Sequence, residues 1–307
     1  MRAVWKGWRV VFSSCETLNR TRRDLRARQR AVVLAPVQVF LQSIFSVLFP
    51  SDCRLCGTPL DNISRVPVCK ECLAEIVPVR APQCVVCGDR LASAQLLMGD
   101  GLCANCRVSA PEFERAVSFG EYRDGVRGLI HLLKYERVTP VARPLGGMLA
   151  QGIAELLAGC RGSMPLLIAV PLHRSRRRSR GFNQSELIAR AAARRLPQRL
   201  ELACDALVRQ RDTVSQVGLS REERIANVRN AFRVADAARV KGRDIMLVDD
   251  VMTTGTTLSE CARVLKQAGA ERVWAATVAR AFDGADSRLA GDSAEQEATE
   301  VAVTTSV

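Results

Sequence analysis

From residue 111 onward, short apolar runs alternate with amphipathic stretches, the order expected of an α/β fold built on a parallel sheet. Val117–Tyr122, Leu166–Val170, Ile245–Val248 and Arg272–Ala281 read as strands. A helix is predicted over 125–135, where Val126, Leu129, Ile130 and Leu133 share one face. Others are predicted over 140–157 and 186–195. The most informative stretch is 244–269. Its apolar run is ended by two carboxylates, Asp249 and Asp250, and Thr253, Thr254, Gly255, Thr256 and Thr257 form a loop of small residues. A helix follows with Leu258, Cys261, Ala262, Leu265 and Ala268 at helical spacing and Gly269 as its stop.

That sequence of strand, acid pair, Thr/Gly loop and helix start makes an anion site. Amides and hydroxyls of the loop cradle a phosphate at the positive end of the helix dipole. The carboxylates are then placed to take ribose hydroxyls or a magnesium ion held by further phosphates. The acidic strand of a P-loop NTPase would read similarly, but no G-x-x-x-x-G-K-[ST] occurs in the chain. A simple helix cap needs one threonine, and here four flank a glycine.

Two other segments are polar where an α/β fold is usually apolar. The strand at 166–170 runs into Pro171–Gln184, a basic loop with a histidine and five arginines at 173–180. Ligands of open α/β sheets bind outside the carboxyl ends of the strands, so this loop is a candidate partner for the threonine loop across a cleft. Arg209–Phe232 is charged and poor in core residues, the composition of a flap. At the other end, residues 32–49 are apolar and preceded by arginines. Pro36, Gln38, Gln42 and serines interrupt them, no A-x-A site follows, and Val37, Phe40, Leu41, Ile44, Phe45 and Leu48 share a helical face. A short packed helix is expected there, with no membrane span and no signal peptide.

Charge adds a polyanionic partner to this picture. Of the net +13, residues 1–35 carry +7, residues 283–307 carry −5, and the 247 residues between them carry +11. A basic body suits pyrophosphate esters or nucleic acid and does not choose between them. Few aromatics are available for base stacking, with Phe, Tyr and Trp at 5%.

Eight of the 12 cysteines form four C-x-x-C pairs: Cys53 and Cys56, Cys69 and Cys72, Cys84 and Cys87, Cys103 and Cys106. Two intervening residues let both thiolates reach one tetrahedral zinc. The halves repeat, each opening with C-x-x-C-Gly and closing with a plain C-x-x-C, which favours sequential pairing with one zinc per half; spacing alone leaves interleaved pairing open. No histidine or open ligand position accompanies the cysteines, so both zinc sites are expected to be structural. A disulfide framework would need no such regularity, and a reducing cytoplasmic location is expected.

The C-x-x-C series, LKY at 133–135, VPLHRSRRRSRGFNQ at 170–184, R-x3-T-x2-Q-x2-L-S-R-E-E-R-x2-N-x3-A-F at 209–232 and the 244–269 stretch together resemble the ComF family. That family joins a zinc-binding module to a type I phosphoribosyltransferase-like domain. The resemblance covers about residues 37–281. It implies a short helix plus double zinc ribbon at 37–110 and the transferase-like domain at 111–282; outside it, composition predicts a basic, disordered extension at 1–36 and an acidic disordered tail at 283–307. By position, Asp249 and Asp250 would contact the ribose hydroxyls and magnesium of phosphoribosyl pyrophosphate (PRPP) and form the catalytic pair of an active enzyme. Thr253–Thr257 would hold its 5-phosphate, and Arg174 and, more weakly, Lys134 its pyrophosphate. The segment around Thr213–Arg224 would be the flap. The family also implies a part in DNA uptake beside the uptake machinery. Single-stranded DNA is then the expected partner, and Arg176, Arg177, Arg178 and Arg180 are its candidate contacts. The alternative expectation is an active phosphoribosyltransferase that joins PRPP to a small base or amine.

Overall fold

A computed structural model describes residues 52–60, 64–160, 164–213 and 218–282. The predicted helix at 37–49, the basic extension and the acidic tail lie outside the described residues. The chain divides into two compact units, 1–69 and 70–307.

In the first unit the backbone folds around Cys53. Gly57 donates its amide to the Cys53 carbonyl at 2.8 Å, and the Cys69 amide points at the Cys53 sulfur at 3.3 Å. The same turn recurs in the second unit, where the Gly88 amide meets the Cys84 carbonyl at 2.9 Å. Gly88 has no alternative: its φ is +73°, and an added Cβ would meet the Ala116 carbonyl oxygen at 3.2 Å.

The second unit begins with three single-turn helices, α1 (Lys70–Ala74), α2 (Ser93–Leu97) and α3 (Ala104–Val108). After them come β1 (Ala116–Glu121), α4 (Asp124–Lys134), a 3₁₀ turn at Thr139–Val141, α5 (Ala142–Leu157) and β2 (Leu166–Ala169). Then follow α6 (Arg174–Arg180), α7 (Gln184–Ala193), β3 (Glu201–Leu202), β4 (Leu207–Arg209), α8 (Arg221–Val228), β5 (Phe232–Val234) and α9 (Ala237–Val240). The chain closes with β6 (Asp244–Met252), α10 (Thr256–Gln267) and β7 (Arg272–Arg280). Five strands form one parallel sheet in the order β1-β7-β6-β2-β3, while β4 and β5 pair antiparallel as a separate hairpin.

From residue 111 onward the predicted strands and helices are present, with three differences. First, the acid pair does not end its strand: β6 runs on through Asp249 and Asp250 to Met252, because β7 continues to pair with it, Asp249 opposite Thr277 and Met252 opposite Arg280. Second, the arginines at 174–180 form a helix instead of a loop. His173 caps it by accepting from the Ser175 amide, and Gly181, at φ 84°, ends it. Third, the 140–157 helix opens as a 3₁₀ turn around Pro140.

Central strands β6 and β7 are apolar along most of their length, as strands covered on both faces must be. At their start, the buried carboxylate of Asp244 takes both arms of the Arg272 guanidinium, at 2.8 and 3.0 Å. Leu145, Leu149 and Ile153 of α5 are fully buried. Leu258, Cys261, Ala262 and Leu265 of α10 share one buried cluster with Leu166, Ile245 and Leu247 of the sheet. That cluster also contains Cys84, Cys87, Cys103 and Cys106, so the second cysteine group is part of the domain's core.

Helices α5 and α7 approach so closely that a Cβ at Gly146 would lie 2.4 Å from the Ala191 Cβ and 2.8 Å from the Ala192 amide nitrogen. In an exposed helix Gly→Ala gains about 1 kcal/mol. Here the overlap outweighs that gain, and Gly146→Ala is expected to lower the unfolding free energy by about 2 kcal/mol in urea titrations. A stabilised variant would contradict this packing.

Candidate ribose-phosphate site and zinc centres

The metal centres follow from sulfur geometry. The Sγ atoms of Cys53, Cys56, Cys69 and Cys72 all lie within 4.8 Å of one another, as do those of Cys84, Cys87, Cys103 and Cys106. Pairing is therefore sequential. Burial opposes ionisation of Cys84, but amides of Cys87, Cys103 and Val86 point at its sulfur and lower the thiol to about 7. Cys53 is likewise brought to about 6 against its burial, chiefly by the amide of Cys69. Burial pushes Cys87 up to about 12, and burial and its cysteine neighbours raise Cys106. Four crowded sulfurs, some already fed by amide donors, fit tetrahedral zinc and leave no open position.

The second centre is tied to the sheet by a buried arginine. Arg280, 3% exposed at the end of β7, donates from Nη1 to the Cys87 carbonyl at 2.8 Å. Its Nη2 lies 3.5 Å from the Asp89 carboxylate and 3.8 Å from the Cys87 sulfur. The Ala116 amide, at the start of β1, donates to the Val86 carbonyl at 2.7 Å.

At the carboxyl end of β6, each acid is met by a different helix. Ser185, in the first turn of α7, donates its hydroxyl to Asp249 Oδ1 at 2.7 Å. Lys134, in the last turn of α4, places Nζ 2.6 Å from Asp250 Oδ2. Burial works against the Lys134 ammonium, yet Asp250 beside it holds its pKa above the usual lysine value. Asp249 has no such cation. Burial, and then the neighbouring Asp250, push its carboxyl up to about 7. Burial also raises Tyr122, just after β1 and close to this pair.

Past the acids, Gly255 takes φ 78° as the N-cap of α10, a conformation that favours glycine. The Thr254 and Thr256 hydroxyls lie 3.2 Å apart. Arg224 of α8 reaches over and donates to the Thr253 hydroxyl at 3.0 Å. A turn at a helix N-terminus with three hydroxyls and an arginine has the donor chemistry to take an anion.

Residues 183–302 match the family described as phosphoribosyl transferase domain, and residues 44–107 match the double zinc ribbon domain. The DNA utilization protein YhgH of Salmonella typhi is 34% identical over 229 residues, covering 73% of this chain and 94% of that protein. Competence protein F of Haemophilus influenzae is 30% identical over 223 residues, 72% of this chain and 93% of its own. The chain belongs to the ComF family. A solved phosphoribosylpyrophosphate synthetase from Mycobacterium smegmatis aligns at 20% identity, covering 47% of this chain and 36% of its own, with a TM-score of 0.28.

This ComF-family chain brings Lys134, Asp249, Asp250 and Thr253–Thr257 to one end of the sheet. The arginines of α6 disperse. Arg177 lies 3.6 Å from Glu186, and Arg180 donates to Gln184 at 2.8 Å. Arg174 and Arg178 are exposed, and Arg176 is half-buried. Residues 214–217 of the expected flap lie outside the described residues. Its stem is held to α6, since Ser175 donates its hydroxyl to Asp212 Oδ2 at 2.7 Å and His173 Nδ1 lies 3.0 Å from the same oxygen.

Sequence reasoning missed Ser185, Arg224 and Arg209. Arg209, at the end of β4, stacks 5.3 Å from the centre of the Phe232 ring and donates to the Thr213 hydroxyl. Its Nε is buried with no hydrogen-bond partner, and no carboxylate pairs with it among the described residues. Burial, and then Arg176, lower its pKa, while Asp249 is among the groups acting in the opposite direction. A cation in that state suits an anionic ligand. Its only sequence signal was the arginine that opens the 209–232 motif.

Asp249 makes the site's stability pH-dependent. The unfolded carboxyl titrates near 4 and the folded one near 7. Between those values the native state binds more protons than the unfolded state, so stability falls as pH rises through the window. Asp249→Asn keeps the acceptor for Ser185 and cannot ionise. It is expected to exceed the wild type by roughly 1–3 kcal/mol at pH 8 in magnesium-free denaturation, with the difference vanishing near pH 4. A pH-independent difference would contradict the assignment.

Proposed function

We propose that this protein binds PRPP or a related ribose phosphate at the carboxyl end of β6, and that it handles single-stranded DNA in the cytoplasm during DNA uptake. The observation that carries the reading is the juxtaposition of the Asp249–Asp250 pair, met by Ser185 and Lys134, with the threonine loop that starts α10. In this reading Thr253–Thr257 hold the 5-phosphate and the two carboxylates orient the ribose hydroxyls. Arg174, Arg176 and Arg209 are the cations available to the pyrophosphate. The zinc module at 37–110 and the transferase-like domain at 111–282 act as one apparatus, with Arg177, Arg178 and Arg180 added to the backbone contacts of the strand. The names of the YhgH and competence relatives support the DNA part of the reading.

The donor set also suits magnesium, a hard cation that takes carboxylate and phosphate oxygens. Asp249 is the freer of the two ligands, because Lys134 already engages Asp250. When bound, the ion would neutralise the pyrophosphate of the ligand. If the site is catalytic, the chain's own part is to position the ribose and to surround the leaving pyrophosphate with arginines.

PRPP titrations with magnesium test the first half: Asp250→Asn is expected to weaken binding about tenfold or more, since it removes a carboxylate assigned to the ribose hydroxyls and magnesium. Equal affinities in both proteins would contradict the assignment. Single-strand binding tests the second half. A phosphate-backbone role predicts a steep fall in affinity between about 50 and 200 mM salt, and affinity insensitive to salt would exclude it. Pyrophosphate release with candidate bases separates a binder from a transferase.

A further inference from the structure

The acid pair at the carboxyl end of β6 already has a cation of its own. Lys134 Nζ lies 2.6 Å from Asp250 Oδ2, and the two side chains are 18% and 6% exposed. The other Asp250 oxygen, Oδ1, accepts the Val251 amide at 2.9 Å. Asp249 Oδ1 accepts the Ser185 hydroxyl at 2.7 Å and the Asp250 amide at 2.9 Å. Of the pair's carboxylate oxygens, only Asp249 Oδ2 takes no hydrogen bond or ion pair from the described residues.

That arrangement decides how the pair receives a divalent ion. Adjacent carboxylates with no counter-ion attract magnesium, which takes one or two carboxylates together with phosphate oxygens. Here an ammonium cancels one of the two charges. It also holds one Asp250 oxygen while a backbone amide holds the other. The lysine comes from a fixed helix, since Leu129, Ile130, Leu132 and Leu133 of α4 are all buried. Once desolvated, an ammonium and a carboxylate in contact are held together, because parting them leaves two buried charges unpaired.

We propose that Lys134 is the resident cation of the ribose-phosphate site. It takes the place at Asp250 that magnesium takes at an unpaired acid, so a metal ion is drawn to this site only by Asp249 and by a ligand's own pyrophosphate. This rests on the ribose-phosphate reading above and adds which residue sets the site's dependence on metal. Lys134 is thus a positioning residue that acts through Asp250.

The test compares full-length, zinc-loaded wild type with Lys134→Met and with a double variant, Lys134→Met with Asp250→Asn, which removes both charges. Magnesium alone is titrated first, with the melting temperature as readout. Wild type and the double variant are expected to move by about 1 °C or less, and Lys134→Met to rise by about 3 °C or more as the ion replaces the lost ammonium. PRPP affinity is then measured by calorimetry with and without magnesium. Omitting magnesium is expected to weaken PRPP binding by Lys134→Met about tenfold or more beyond the loss seen in the wild type. Equal magnesium responses in wild type and Lys134→Met overturn the assignment. A response of the double variant as large as that of Lys134→Met does the same, because the ion then acts elsewhere than at Asp250. Should Lys134→Met fail to fold, the wild type still decides: stabilisation by magnesium alone of about 3 °C or more overturns the assignment without any variant. If magnesium stabilises only Lys134→Met and no protein binds PRPP, the ribose-phosphate reading fails and the cation assignment stands.

Discussion

The arrangement at the candidate site depends on one stretch of backbone pairing, that of β6 with β7 beyond the point where β2 ends. Ala169 is the last residue of β2, opposite Val248. Past it, β6 keeps its shape only because β7 continues alongside, and the Ala281 amide still donates to the Met252 carbonyl at 2.9 Å. That extension carries Asp249 and Asp250 out of the sheet's apolar middle toward the ends of α4 and α7, and it delivers the chain into the threonine loop. On β7 the same extension ends in Arg280, whose guanidinium fastens the second cysteine centre to the sheet. The threonine loop and the second cysteine centre are thus positioned by the two partners of a single ladder.

Charge burial decides the rest. Asp250 is buried against Lys134, and breaking such a pair leaves an uncompensated charge that costs about 3–5 kcal/mol. Asp249 receives a hydroxyl instead of a cation, and the half-buried Arg209 has no carboxylate partner among the described residues. A carboxyl that resists ionisation would be relieved by a metal ion, and a guanidinium with no carboxylate partner among the described residues by an anion.

Much of this was legible in the order of residues. Four C-x-x-C pairs announced two tetrahedral centres, since ligand spacing is a local property. The apolar run before Asp249 announced a strand, and Gly255 among threonines announced the turn into the next helix. What stayed hidden was non-local. Aspartates disfavour strands, and only the facing Thr277 and Ala279 show that β6 runs past them. The arginines at 174–180 read as a loop because their charge masked a His173 cap and a Gly181 stop. Ser185 looked like an ordinary helix residue and Arg209 like part of a charged flap until the fold set Ser185 against Asp249 and left Arg209 half-buried with no carboxylate partner among the described residues.

The most direct test of a ribose-phosphate site on β6 and α10 is phosphorus NMR of PRPP titrated with the protein in magnesium. The 5-phosphate and the pyrophosphate resonances are expected to shift or broaden together at one equivalent, because the cradle and the acid pair grip opposite ends of one ligand. Movement of the pyrophosphate resonances alone, or of none, would contradict the account.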